Sequence, residues 1–250
     1  MPNSQSLAGQ LAIVTGASSG IGKAIALSLA SQGCKVLATG RNKERLNALS
    51  SEAPSGSMIG IELDMRDSNG ILEINSHLPV GYESIDILIN NAAEDIGGRT
   101  RFDLASADEV CRVIETNLIG LMRITHALVP GMLKKGRGTI VNIGSTNSQR
   151  PTPTMAAYTA SKAGVHAFSD VLRADYAKEG IRIIEIVPGL TRTDFAKNRM
   201  RGDIEKANAF FEKFPGALDP TDVADAVMYA VSRPQHVCIQ QIVVTPWFQW

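Results

Sequence analysis

Short, almost wholly apolar runs alternate along this chain with longer segments of helical period. Residues 11–15, 35–39, 57–63, 85–89, 138–143, 181–187 and 239–244 read as strands. Helical patterns follow at 22–32, 43–51, 106–134, 155–178 and 220–232, the last opened by Pro220. Strands without polar alternation are buried on both faces, and repeated strand–helix units place such strands parallel with right-handed crossovers. The pattern predicts an α/β fold, a doubly wound parallel sheet of about seven strands with helices on both faces. No linker, internal repeat or low-complexity tract interrupts residues 1–250, so the expectation is one domain. The single irregular stretch is 191–217, charged and rich in Phe, where a segment covering a substrate could sit.

Composition narrows the classes. Lys+Arg and Asp+Glu number 25 each, so no global field favours nucleic acid or an anionic membrane surface. A hydrophobic fraction of 44% supplies a large core, yet no apolar run approaches the roughly 20 residues of a membrane span. Residues 1–10 are polar and lack the apolar centre of a signal peptide, and the expectation is a cytoplasmic protein. Cys34, Cys111 and Cys238 are widely spaced and form no CxxC pair, which reads as reduced packing cysteines. His77, His126, His166 and His236 have no metal-ligand spacing, so no metal site is expected.

Candidate chemistry begins at the first strand–helix turn, Thr15-Gly16-Ala17-Ser18-Ser19-Gly20-Ile21-Gly22. Glycines there permit a tight turn and let backbone N–H groups approach a pyrophosphate at a helix N-terminus. Such a loop points to a Rossmann-type dinucleotide site. A carboxylate that would hold a ribose 2′-hydroxyl is missing from the end of the second strand, which reads Thr39-Gly40-Arg41-Asn42. A guanidinium there favours a 2′-phosphate, hence NADP(H) over NAD(H).

Tyr158 and Lys162 are spaced i, i+4 in Tyr158-Thr159-Ala160-Ser161-Lys162 and share one helix face. A free phenol titrates near pH 10, and a neighbouring cation is expected to pull that value down towards useful acid–base chemistry. The strand 141–145 ends at Ser145, placed to bind the same oxygen.

Taken together, the TGxxxGIG loop, Leu63-Asp64, Asn90-Asn91-Ala92, Ser145, the YxxxK pair and Pro188-Gly189 resemble the short-chain dehydrogenase/reductase family over the whole chain. The resemblance implies an NADP(H)-dependent oxidoreductase moving hydride between nicotinamide and a small carbonyl or secondary alcohol. It implies that Tyr158 is the proton donor or acceptor, that Ser145 holds the substrate oxygen, and that Lys162 binds the nicotinamide ribose. Asn117 matches the asparagine that supports a proton-relay water. Cofactor contacts are implied for Gly16, Ser18, Ser19, Gly20, Ile21, Gly22, Arg41, Asp64, Asn90, Ala92, Tyr158, Lys162, Pro188, Gly189 and Thr193. Ala93 departs from the family's NNAG turn and leaves the loop geometry open, not the reaction.

The C-terminal part, Arg233-Pro234-Gln235-His236-Val237 and 239–246, resembles the branch of 3-hydroxy acid and serine dehydrogenases. A substrate of that kind needs a cation for its carboxylate, with Arg99, Arg101, Arg150, Arg192 and Arg199 as sources. Asn147, Gln149 and Phe195 are candidates for the pocket wall. Alternatives are a 3-oxoacyl-type reductase, an epimerase or dehydratase on the same scaffold, and a non-catalytic NADP(H)-binding protein. The aromatic end 247–250 is expected to bury against another subunit. The family resemblance implies a homotetramer built on the helices at 106–134 and 155–178, with a dimer as second choice.

Overall fold

The computed structural model describes residues 4–97 and 99–249. Seven strands, β1 (Leu11–Val14), β2 (Lys35–Gly40), β3 (Met58–Glu62), β4 (Ile87–Asn90), β5 (Gly138–Ile143), β6 (Ile181–Pro188) and β7 (Gln241–Val244), form one sheet. Their order is β3-β2-β1-β4-β5-β6-β7 and every pairing is parallel. The order reverses between β1 and β4, so the loops leaving those two strands diverge and open a crevice at their carboxyl ends. Doubly wound sheets bind ligands at such a switch point.

Because side chains alternate along a strand, each strand feeds two cores. Ala12 and Val14 point into the layer formed with α1 (Gly20–Ser31), α2 (Lys43–Glu52) and α9 (Pro220–Val231), where Ile25, Leu29, Leu46 and Val227 are buried. Leu11 and Ile13 point the other way, to Ile124, Leu128 and Met132 of α5 (Gly120–Lys135) and Leu172 of α6 (Ala156–Asp175). Full burial of each such side chain contributes about 1.5–3 kcal/mol. The two cores cover opposite faces of the sheet and hold the strands whose carboxyl ends carry the loops.

Two expectations about helices need correction. The pattern at 106–134 is not one helix: α4 (Ala107–Ile114) passes into a π-turn, Glu115–Ile119, before α5 begins. The wider turn carries Thr116 and Asn117 inward, where side-chain partners hold them, and a hydrophobic period cannot register that. The irregular stretch at 191–217 contains two short helices, α7 (Phe195–Arg199) and α8 (Ile204–Glu212), the second capped by Asp203. One further helix, α3 (Ser68–Leu72), lies between β3 and β4 and was not predicted. Among the described residues no helix is long and apolar enough to cross a membrane.

All three cysteines are free, but only Cys34 is a packing residue, its thiol pushed up to about 12 by burial; Cys111 and Cys238 are exposed. Part of the aromatic end packs within its own chain. Phe248 stacks on Phe214 of its own chain at 5.9 Å, because Gln249 ties the tail down by accepting from the Leu190 N–H at 2.7 Å. Trp247 is 90% exposed, and Trp250 lies outside the described residues.

Candidate active site

A cleft of about 830 Å³ opens at the switch point. Its floor on one side is the β1–α1 loop, with Gly16, Ser18, Ser19, Gly20 and Ile21 on the wall. Gly16 and Gly20 have φ of +66° and +54°, which only glycine adopts readily. A Cβ on Gly16 would also stand 2.8 Å from the Ala92 Cα. The turn is therefore closed tightly enough to aim the first N–H groups of α1 into the cleft. Ser19 makes no side-chain cap, and the first turn carries no acidic residue. Those N–H groups are left for an anion, with the helix dipole behind them. Arg41 and Arg45 stand on the rim, and Asp64, Ala92, Pro188, Gly189 and Thr193 complete this half. Uncapped N–H donors beside guanidinium groups are the donor set that a phosphate-bearing dinucleotide requires, so the residues present fit NADP(H).

Ser145, Tyr158 and Lys162 meet in the other half of the same cleft. Strand β5 ends just before Ser145, and α6 presents Tyr158 and Lys162 one turn apart. Lys162 is buried and donates to the Ile143 carbonyl at 2.7 Å, which anchors α6 to the end of β5. From the end of β5, Ser145 acts on the Tyr158 phenol. The expectation that Lys162 lowers the Tyr158 pKa is not met in this geometry. Burial raises the phenol above its usual value, with the Ser145 hydrogen bond and then Arg199 pulling the other way. The Lys162 ammonium lies 5.9 Å from the Tyr158 ring centroid and is itself brought down to about 8 by burial, against the attraction of Glu185. Desolvation outweighs the charge–charge attraction for both groups.

Behind this pair lies Glu185 of β6, fully buried, whose Oε2 is 2.7 Å from His166 Nδ1 and accepts from Gln241 Nε2 at 2.8 Å. A Cβ on Gly144 would fall on Glu185 Oε1, so glycine before Ser145 leaves room for the buried carboxylate.

Sequence reasoning did not anticipate the two acids of the loop after β4. Glu94, 2% exposed, accepts from Arg112 at 2.9 and 3.1 Å, from Thr116 at 2.7 Å and from Arg41 at 3.3 Å. Asp95, 4% exposed, accepts from Arg199 Nε of α7 at 2.7 Å. Adjacent carboxylates directly after a buried strand and an Asn-Asn turn are the signal that could have found them.

Three of the predicted catalytic and cofactor positions are not on the cleft wall. Asn117 is fully buried, its amide donating to the Glu94 carbonyl and to Ser161. Asn90 points into the sheet, donating to Thr125 and Asn142, while Asn91 and Ala92 face the cleft. Gly22 packs under the Gly16 carbonyl and shapes the turn from below. Of the pocket candidates, Asn147 and Phe195 line the cleft, whereas Gln149 is turned away to Gln241. Phe210, Phe214 and Phe248 form an aromatic wall opposite, with Phe195 on the Tyr158 ring at 5.5 Å.

The chain is similar to known proteins over nearly its whole length. The chain is 38% identical to the NADP-dependent 3-hydroxy acid dehydrogenase YdfG of Escherichia coli K12, over 94% of both chains. It is 36% identical to a sulfoacetaldehyde reductase of Chromohalobacter salexigens, over 93% of this chain and 92% of that one. Among solved structures, the closed form of a serine dehydrogenase complexed with NADP+ superposes with a TM-score of 0.92 at 37% identity, covering 96% of each chain. The model of the short chain dehydrogenase family matches residues 10–203, and with these relatives it establishes that the chain belongs to that family.

Proposed function

We propose that this protein is an NADP(H)-dependent oxidoreductase interconverting a small 3-hydroxy acid and its 3-oxo acid. The observation that carries the reading is the meeting of Ser145, Tyr158 and Lys162 in the cleft that also holds the uncapped N-terminus of α1. NADP(H), when bound, supplies or accepts the hydride; the protein supplies position and proton flow. The N–H groups of α1 hold the pyrophosphate and Arg41 the 2′-phosphate. Lys162 holds the nicotinamide ribose, and Asp64, Ala92, Pro188, Gly189 and Thr193 frame the rest.

In the reducing direction Tyr158 donates its hydroxyl proton to the substrate oxygen. Its raised pKa keeps that proton in place at neutral pH. Ser145 donates to the same oxygen and stabilises the charge developing there. Asn117 supports the proton path from below through its hold on the loop after β4. The segment 191–217 acts as a cover, bringing Phe195 onto Tyr158.

The relatives include sulfoacetaldehyde reductases, whose named substrate carries a sulfonate, so a small sulfonated aldehyde is the second reading; it shares the need for an anion site. The same proposal includes a single domain, a cytoplasmic setting and a homotetramer. Met122 of α5 and Val171 of α6 are 42% and 58% exposed, apolar side chains that a subunit interface would cover.

Initial rates with NADPH and NADH against aldehydes, ketones and 3-oxo acids test the reading. Turnover with NADPH that is lost in Tyr158→Phe upholds it; NADPH binding without turnover of any carbonyl overturns it in favour of a non-catalytic cofactor-binding protein.

A further inference from the structure

The sequence leaves open which arginine meets the substrate's anionic group, and the fold separates the five candidates. Arg101 donates through its Nε and Nη2 to the two oxygens of Asp103, each at 2.6 Å, and stands 72% exposed. Arg150 and Arg192 are exposed and do not line the cleft. Arg99 lines it but is exposed. Arg199 is different: its side chain is 12% exposed, lines the cleft, and lies over the Phe195 ring at 5.4 Å, the ring that contacts Tyr158.

The way Arg199 is held leaves it a usable edge. Its Nε donates to Asp95 at 2.7 Å, and no other hydrogen bond of this guanidinium is found among the described residues. Both Nη groups remain available, and a guanidinium held at Nε offers its Nη pair as a fork for a carboxylate or sulfonate. Charge agrees with this. The carboxylates on the cleft wall have their own arginines: Glu94 has Arg41 and Arg112, Asp64 has Arg66, and Asp194 has Arg45. Asp95 likewise faces two positive groups, Arg199 and Arg99, of which Arg199 is the buried one. That unit carries one unbalanced positive charge, which a monoanionic substrate would neutralise.

We infer that Arg199, oriented by Asp95 and stacked on Phe195, is the specificity-determining residue that binds the carboxylate or sulfonate of the substrate while Tyr158 serves its carbonyl. The inference rests on the reductase reading and adds the site's demand for an anion. Because Arg199 sits on α7, the same bond would draw the cover down over an acidic substrate and not over a neutral one.

The test compares a 3-oxo acid with its methyl ester, using NADPH, in wild type, Arg199→Gln and Arg199→Lys. Wild type should prefer the acid. Arg199→Gln should lower kcat/KM for the acid by about 10- to 100-fold, the scale of a lost charge-assisted hydrogen bond. The ester rate and the KM for NADPH should change less than about threefold, and Arg199→Lys should recover part of the loss. Equal losses on acid and ester would make Arg199 a pin of the cover only and overturn the inference, as would an unchanged acid rate. A wild type that reduces the ester as well as the acid would overturn it while leaving the reductase reading standing. Calorimetric titration of 3-hydroxybutyrate into the NADPH-saturated protein, where no hydride can move, gives a readout without turnover. Binding in wild type that is lost in Arg199→Gln upholds the inference, and equal binding in both overturns it.

Discussion

Glu94 and Asn117 clasp each other: the Glu94 N–H donates to Asn117 Oδ1 at 2.7 Å, and the Asn117 amide donates back to the Glu94 carbonyl at 2.9 Å. One side chain thus satisfies both backbone groups of a buried residue and fixes the loop after β4 to the π-turn. Asn117→Ala would leave a buried donor and a buried acceptor unpaired. It should destabilise the fold by about 2–4 kcal/mol in denaturant unfolding. Asn117→Asp can accept but not donate, and should recover less than half of that.

Tyr158→Phe removes the proton and leaves the ring on Phe195. Loss of a general acid costs about 10²- to 10⁴-fold, so kcat should fall in that range. NADPH affinity, read by fluorescence titration, should change little.

Arg41 stands half in solvent and shares Glu94 with Arg112 and Thr116, so Glu94 remains satisfied when Arg41 turns to a 2′-phosphate. Arg41→Ala should therefore cost about 10- to 100-fold in kcat/KM for NADPH, the worth of one charge-assisted contact, with NADH changed by less than about threefold. Equal losses with both cofactors would count against the 2′-phosphate role.

His166 beside Glu185 makes stability depend on pH. The Glu185 hydrogen bond holds the imidazole above its ordinary value of 6.5. A raised folded-state value means that the folded protein binds the proton more tightly, so the stabilisation is complete below about pH 6.5 and is lost as pH rises through the folded value. The Tm should fall over that interval, and His166→Asn should flatten the profile there.

Lys162 works in the opposite sense. Burial brings its ammonium from 10.5 to about 8, so the unfolded chain holds that proton more strongly between those values. This group's contribution to stability should rise with pH across that window. Activity should move the other way: the KM for NADPH should climb above about pH 8 as the charge facing the ribose is lost, and Lys162→Met should show the high KM at all pH values.

The periodicity of apolar runs was enough to determine the strand sequence and the parallel, two-faced sheet, because a strand buried on both sides has no room for polar alternation. Local spacing likewise determined what lies close in the chain: the turn from Gly16 to Gly22, and Tyr158 one helical turn from Lys162. Tertiary structure decided what depends on distant partners. The π-turn that buries Asn117, the turning of Asn90 into the sheet and the tail laid along Phe214 arise from hydrogen bonds spanning tens of residues. So do the grip of Glu94 on Arg41 and Arg112 and that of Asp95 on Arg199. The sign of the Tyr158 shift belongs to this second group as well, since desolvation is set by everything packed around a group and the i, i+4 spacing specifies only one neighbour.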